Sequence, residues 1–280
     1  MKIARDKPRQ LIRKTLVYSL MSSALLFTYA ALAHEVWLAP QTYHGERQKP
    51  VQIDIRLGQN FIGDALRYRP RTIAKLAFLT RTATAPVTGR LGDLPAIQTA
   101  APEDGQNILI YQSLPEKMLY KNFDKFAEFV QEKGHEKLLD QHGQRGLPDK
   151  YFTEIYSRFA KTILLRGGGG KGVQDRLAGL EVEFVLESGL MTTDSPLPIR
   201  LYYQSAPLAN AKITIFDKGR DGKISQQKTF SDGQGYIYLT PVKGHEYLID
   251  HVTIRAIQPE ENPHQAVWES LWASLTFKAP

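Results

Sequence analysis

The sequence predicts a mainly β protein in which two β-sandwich modules are joined by a helical segment. Three observations predict it. Short apolar–polar alternations broken by Gly, Pro and Asp fill residues 51–111 and recur through residues 180–277, and a two-residue period belongs to half-buried strands. Between these stretches, residues 122–165 change to a period of three to four, which is that of helices. There is no cysteine in 280 residues, so no disulfide framework, thiolate metal site or cysteine nucleophile exists and each module must bury an ordinary core.

The chain opens with Lys2, Arg5, Lys7, Arg9, Arg13 and Lys14 against Asp6 alone, then an apolar run over residues 16–32, then Ala31-Leu32-Ala33. That order is the basic, apolar and small-residue sequence of a cleavable secretory signal over residues 1–33, which sends the protein to the periplasm. A retained anchor is the rival reading, because residues 16–33 are just long enough for a marginal span. Tyr18, Ser19, Ser22, Ser23 and Thr28 within the run, and the cleavage site that ends it, favour removal. No later stretch is apolar for long enough to cross a bilayer. Of the 36 basic and 29 acidic residues, six and one fall in this signal, leaving 30 and 28 in a nearly neutral mature chain of 247 residues. A nucleic-acid or anionic-surface partner therefore loses its only support.

The first module is expected over residues 34–118. Val51, Ile53, Ile55 and Leu57 alternate with polar residues, and residues 75–79 and 107–111 are further short strands. A helical segment with its linker is expected over residues 119–172. Phe123, Phe126, Ala127 and Val130 mark one amphipathic helix, with Asn122 as its N-cap and Gly134 as its end. A weaker helical piece covers residues 136–140. Phe152, Ile155, Tyr156, Phe159, Ala160, Ile163 and Leu164 follow the same spacing and predict a second helix. On such a helix Ser157 and Lys161 would share a face, as a serine–lysine nucleophile requires. No oxyanion element accompanies them, so the expectation is an apolar face toward the sandwich with Arg158 and Lys161 in solvent. Arg166-Gly-Gly-Gly-Gly-Lys-Gly172 has neither the spacing nor the flanking elements of a phosphate loop and reads as a flexible linker.

The second module is expected over residues 173–280, with strands at 180–186, 197–203, 211–216, 227–230, 236–239, 247–257 and 273–277. Asp232-Gly233 and Gly235 provide a tight turn that needs positive φ. The segments 206–216, 229–239 and 244–249 resemble the prealbumin-like, or carboxypeptidase-regulatory-like, immunoglobulin-type sandwich. Asp217-Lys-Gly-Arg-Asp-Gly-Lys223 lacks the oxygen ligands and terminal Glu of a calcium loop and reads as a hairpin turn.

The chemistry must then rest on imidazoles, of which there are seven: His34, His44, His135, His142, His245, His251 and His264. Cleavage after Ala33 makes His34 the first residue. Its free α-amine, with an ordinary pKa of about 8, and its ring Nδ1 can then chelate one ion, and one or two further imidazoles complete the nitrogen site that Cu(II) or Ni(II) favours. Such a chelate is a histidine brace.

His34-Glu-Val-Trp-Leu-Ala-Pro40, the segment 151–161, and the ending from His251 through Trp268-Glu-Ser-Leu-Trp272 to Phe277 resemble a large bacterial family of exported proteins assigned to the periplasmic side of nickel or cobalt uptake. The resemblance implies a metal-binding protein that hands its ion to, or takes it from, an inner-membrane metal permease or another envelope protein. It places the family's opening histidine on His34 and its histidine before the last strands on His251. Six residues before His251, His245 falls on the same face of an unbroken strand, and His245 and His44 complete the candidate ligand set. His135 and His142 are expected exposed in the helical segment and His264 in a loop, while Trp37, Trp268 and Trp272 are expected in the core.

Two other readings stay open. An envelope interaction or scaffolding module built of sandwiches would need no metal. A copper oxidase using the same brace ranks last, since no paired carboxylates or nucleophile–base pair stands out. The expectation is a protein that is not an enzyme, and imidazole alone does not choose among nickel, cobalt and copper.

Overall fold

A computed structural model describes residues 34–46, 49–167, 172–190 and 195–280. The expected signal and the centre of the glycine-rich linker lie outside the described residues. The first strands are β1 (Glu35–Pro40), β2 (His44–Gly45), β3 (Val51–Gln59), β4 (Ile62–Leu66), β5 (Ile73–Leu79), β6 (Thr84–Pro86), β7 (Ile97–Thr99), β8 (Gly105–Ser113) and β9 (Glu116–Tyr120). Two helices follow, α1 (Phe123–Lys133) and α2 (Lys137–Gln144). The remaining strands are β10 (Phe152–Arg166), β11 (Val182–Leu186), β12 (Leu197–Tyr203), β13 (Ala206–Pro207), β14 (Lys212–Lys218), β15 (Ile224–Phe230), β16 (Tyr236–Leu239), β17 (Glu246–Ala256) and β18 (Trp268–Lys278).

The mainly β architecture with a helical insertion is as the sequence predicts, and the two sandwiches share one sheet. A ten-stranded sheet runs β15-β14-β17-β18-β10-β8-β5-β6, with β2 and β9 also paired to β10. Alternate residues of its strands feed opposite cores. Phe78, Leu109, Ala160 and Leu164 pack against Leu38, Ile53 and Ile55 of the four-stranded sheet β1-β3-β4 with β7. Their neighbours Ala77, Leu79, Ile108 and Ile163 pack the other way, against Val182, Phe184, Ile199 and Leu201 of the sheet formed by β11, β12, β13 and β16. The described residues consequently cluster as one compact unit.

The helix expected over residues 152–164 is instead β10, the fifteen-residue strand at the centre of this shared sheet. Its apolar residues sit at three- and four-residue spacings because both faces are covered, so residues of both parities must be apolar. β10 runs parallel to β18, from Glu154 opposite Trp268 to Thr162 opposite Thr276, and aromatic and β-branched side chains suit it to such a position. Lys161, expected in solvent, is buried on β10 with its ammonium 3.1 Å from Asp175 and 2.8 Å from Glu183. It also donates to the Arg176 carbonyl. That ammonium is fully engaged in tying the central strand to the approach to β11, and no serine–lysine pair is formed.

The first helix is where the period puts it. Asn122 has the extended backbone of an N-cap, although its side chain makes no cap hydrogen bond, and Gly134 ends the helix at φ +83°. Phe126, Phe129 and Val130 seat α1 on Val252, Trp268 and Trp272, on the same face of the shared sheet that carries β1. The segment 217–223 is the expected hairpin turn between β14 and β15. Near residue 233 the positive φ falls on Gly235, at +84°.

Candidate metal centre

A buried charge cluster ties together β1, the end of α1 and β17, the three segments beside which His34, His135 and His251 lie. Lys133, the last residue of α1, places its ammonium 3.3 Å from Glu35 on β1 and 3.5 Å from Asp250 on β17. It also lies 4.8 Å from the centre of the Trp272 ring. Glu35 and Asp250 are each adjacent in sequence to a candidate ligand, His34 and His251, and His135 follows Lys133 by two residues across the left-handed Gly134; strand alternation turns His251, opposite Ala273, to the other face of the sheet from Asp250. Burial raises the Asp250 carboxyl to about 7 against the opposing pull of Lys133. Burial likewise raises Glu35. Desolvation works to lower Lys133, but Asp250, Glu35 and Glu132 outweigh it and hold the ammonium above its ordinary range. One oxygen of this cluster, Glu35 Oε2, is buried with no hydrogen-bond partner.

The imidazoles here are held in tautomers suited to a metal. A backbone carbonyl only accepts, so the ring nitrogen bonded to it must carry the proton. His251 donates from Nδ1 to the Lys212 carbonyl at 2.8 Å, which makes Nε2 the acceptor, and the Thr253 hydroxyl donates to it at 2.9 Å. His135 uses Nε2 on the Val252 carbonyl at 2.7 Å, which leaves Nδ1 as the lone pair. Carbonyl-anchored imidazoles of this kind are the usual outer support of metal-ligating histidines. Burial first, with the positive charge of Lys133 adding to it, lowers His251 to about 4, and burial also lowers His135. Both rings are neutral at neutral pH, the form that can donate to a metal.

His34 precedes β1, whose position is fixed against β18. The Ser274 hydroxyl donates to the Val36 carbonyl at 2.7 Å and the Thr276 hydroxyl to the Leu38 carbonyl at 2.6 Å. Extending this match back by two residues brings His34 level with Trp272, the partner of Val252 in the β17–β18 ladder. The same Val252 carbonyl anchors His135.

The other two predicted ligands are elsewhere. His245 binds Asp217 through Nδ1 at 2.7 Å, and His44 binds the Lys278 carbonyl through Nε2 at 3.0 Å. Both lie at the opposite end of β17 and β18. Strand alternation does relate His245 to His251, but six extended residues separate them by on the order of 20 Å, so they do not share an ion. Among the described residues no group of three or more His, Cys, Asp or Glu side chains forms a ready-made metal cage, whereas a brace draws two of its donors from a single residue.

His142 corrects its expected exposure. It is buried among Phe123, Phe126 and Phe152, accepts from the Trp268 indole at Nδ1 and donates to the Pro148 carbonyl from Nε2. His135, also expected exposed, is half-buried; only His264 is in an exposed loop. Trp37, Trp268 and Trp272 are all core residues. The participants that the sequence did not reveal are Glu35 and Lys133, which meet Asp250 through contacts between residues far apart in the chain. The local signal that bears on His135 is Gly134, whose left-handed conformation turns the chain back from α1 toward β17.

The fold and this cluster define a class: a β-sandwich protein with two sandwiches sharing a sheet and a histidine-flanked buried charge cluster beneath its first strand. The chain belongs to the family described as a domain of unknown function, DUF4198, whose profile matches residues 31–255. That match includes His34, His135 and His251. No curated protein matches the chain. Among solved structures, the D0-D1 domain of intimin aligns over 86% of this chain and 96% of that one at 10% identity. The TM-score of that alignment is 0.21, too low to carry an argument.

Proposed function

We propose that this chain, once cut after Ala33, is a periplasmic binding protein for a divalent transition metal. The amine and Nδ1 of His34 are the first donors, and the lone pairs of His135 Nδ1 and of His251 Nε2, once released by the Thr253 hydroxyl, the candidates to complete the set. The observation that carries the reading is the Lys133 cluster, which gathers the three histidine-bearing segments while backbone carbonyls hold two of the rings in the donor tautomer. Glu35 Oε2, buried and unpartnered, adds an acceptor for a proton on a ligand or bound water. Nitrogen donors without thiolate suit copper, nickel or cobalt over softer-ligand chemistry. The ion is cargo in this reading, delivered to or received from a membrane permease or another envelope protein. The residues gathered here include no nucleophile–base pair, so binding rather than turnover is the activity proposed.

The test is calorimetric titration with Cu(II), Ni(II) and Co(II) of the protein beginning at His34, beside a version with one extra glycine before it. Blocking the amine should weaken binding of the preferred metal by roughly two orders of magnitude, since a chelating donor is lost and an outer-shell change alone costs ten- to a hundredfold. His251→Ala should weaken it similarly and His245→Ala should not. Equal affinity with and without the added glycine would remove the brace.

A further inference from the structure

The ten-stranded sheet ends at β15, and among the described residues nothing pairs with the outer edge of that strand. Its seven residues, Ile224-Ser-Gln-Gln-Lys-Thr-Phe230, contain no proline and run in unbroken register along β14. From Ser225 to Lys228 every residue is exposed, and Phe230 is 62% exposed. At the other end of the sheet the edge strand β6 has three residues and includes Pro86, the usual way of blunting an edge. β15 has one lysine and no other such protection. Beside it a groove of about 500 Å³ opens between β15 and β16, lined by Ile215, Thr229, Phe230, Ile237 and Tyr238.

The peptide groups on the free edge can be identified. In an antiparallel ladder, alternate residues turn both N–H and C=O toward a given neighbour. Just beyond the two ends of β15, Ser231 N–H donates to the Ala211 carbonyl and Gly219 N–H donates to the Lys223 carbonyl. Odd-numbered residues therefore face β14, and Ile224, Gln226, Lys228 and Phe230 present their N–H and C=O outward.

We infer that β15 is a homodimerisation edge, on which two copies of this chain pair antiparallel about Gln227 and join their ten-stranded sheets into one. In that register Ile224 faces Phe230 and Gln226 faces Lys228, and these are the pairs whose outward peptide groups can exchange hydrogen bonds. Ser225 faces Thr229, and Gln227 faces itself. Apolar meets apolar at both ends, and the strand's single charge meets an amide. Moving the axis to Lys228 would oppose two lysines, which is destabilising. Moving it to Gln226 would leave Phe230 without a partner. The sequence of the strand is thus complementary to its own reverse in one register, as an isologous interface requires.

The test is sedimentation equilibrium of the mature chain across a micromolar concentration series, with two variants. Gln226→Pro removes an outward N–H and leaves the β14 ladder intact, and should weaken the dimer by roughly tenfold or more without changing the thermal melt of the monomer. Gln227→Cys introduces the chain's sole thiol at the symmetry axis and should give a covalent dimer under mild oxidation, whereas the exposed control Gln98→Cys on β7 should not. A chain that stays monomeric throughout the series, a dimer indifferent to Gln226→Pro, or a Gln227→Cys protein that does not cross-link would each overturn the inference. If Gln226→Pro does not fold, cross-linking decides the matter. A β15 edge that instead receives a strand from a different protein would leave the isolated chain monomeric and uncross-linked.

Discussion

Glu154 is a buried carboxyl with hydroxyls, not a cation, as its partners. Tyr120 donates to it at 2.7 Å and Ser270 donates to its other oxygen. Burial raises its pKa from 4.5 to about 7, with Ser270, Tyr120 and the more distant Arg158 pulling the other way. A folded pKa above the unfolded one means that the folded state holds the proton more tightly. The protein therefore loses stability as pH rises from 4.5 to about 7, by about 3 kcal/mol for a shift of this size. Glu154→Gln keeps an acceptor for Tyr120 and removes the ionisation. Thermal melts at pH 5 and pH 8 should show the variant gaining on the wild type by several degrees at the higher pH. A constant difference between the two proteins would mean that Glu154 does not titrate in that window. The same scale shows what a sequence withholds. His34 and His251 could be singled out by position, but Glu35, Lys133 and Asp250 are neighbours only after folding. A buried lysine at the end of an amphipathic helix has the sequence appearance of a solvated one.

At the scale of elements, amphipathic strands were the most legible and the central strand the least. Residues 197–203 and 236–239 are strands with the predicted limits, because each has one face on the core and one toward solvent. β10 imitates a helix because it has no solvent face, and periodicity carries no information where every residue is covered. Turn chemistry was legible: of the two glycines the sequence offers for positive φ, the structure uses Gly235. Asp232 caps the turn by accepting from the Gln234 and Tyr236 amides, but positive φ belongs to Gly235 alone of the two glycines. A Cβ there would stand 2.9 Å from the Leu201 carbonyl. Gly235→Ala should cost about 1–2 kcal/mol or more in urea unfolding. Gly233→Ala, where a Cβ meets nothing within 4 Å, should stay within about 0.5 kcal/mol of the wild type. Equal midpoints for the two variants would contradict the assignment of the turn.

For the whole molecule, the shared sheet makes the two sandwiches interdependent. β10 supplies Ala160 and Leu164 to one core and Phe159 and Ile163 to the other, so neither sandwich keeps its inner wall if the other comes apart. Calorimetry of residues 34–280 should give one transition whose calorimetric and van't Hoff enthalpies agree. Two resolved transitions would show that the cores melt separately. The fold class was legible because alternation and turn residues recur along the chain. The sharing was not, because it depends on which strands meet, and the pairing of β10 with β18 joins residues more than a hundred positions apart.

The grip of Ser274 and Thr276 on β1 also sets a timetable. The segment next to His34 is seated by hydroxyls 238 residues downstream. At about 5–20 residues per second, the ribosome takes some tens of seconds to make that stretch. Throughout synthesis the first strand has no place to lie. In the metal-binding reading proposed above, the donors beside β1 would come together only in the completed chain, so the choice of metal would fall to whichever compartment holds it.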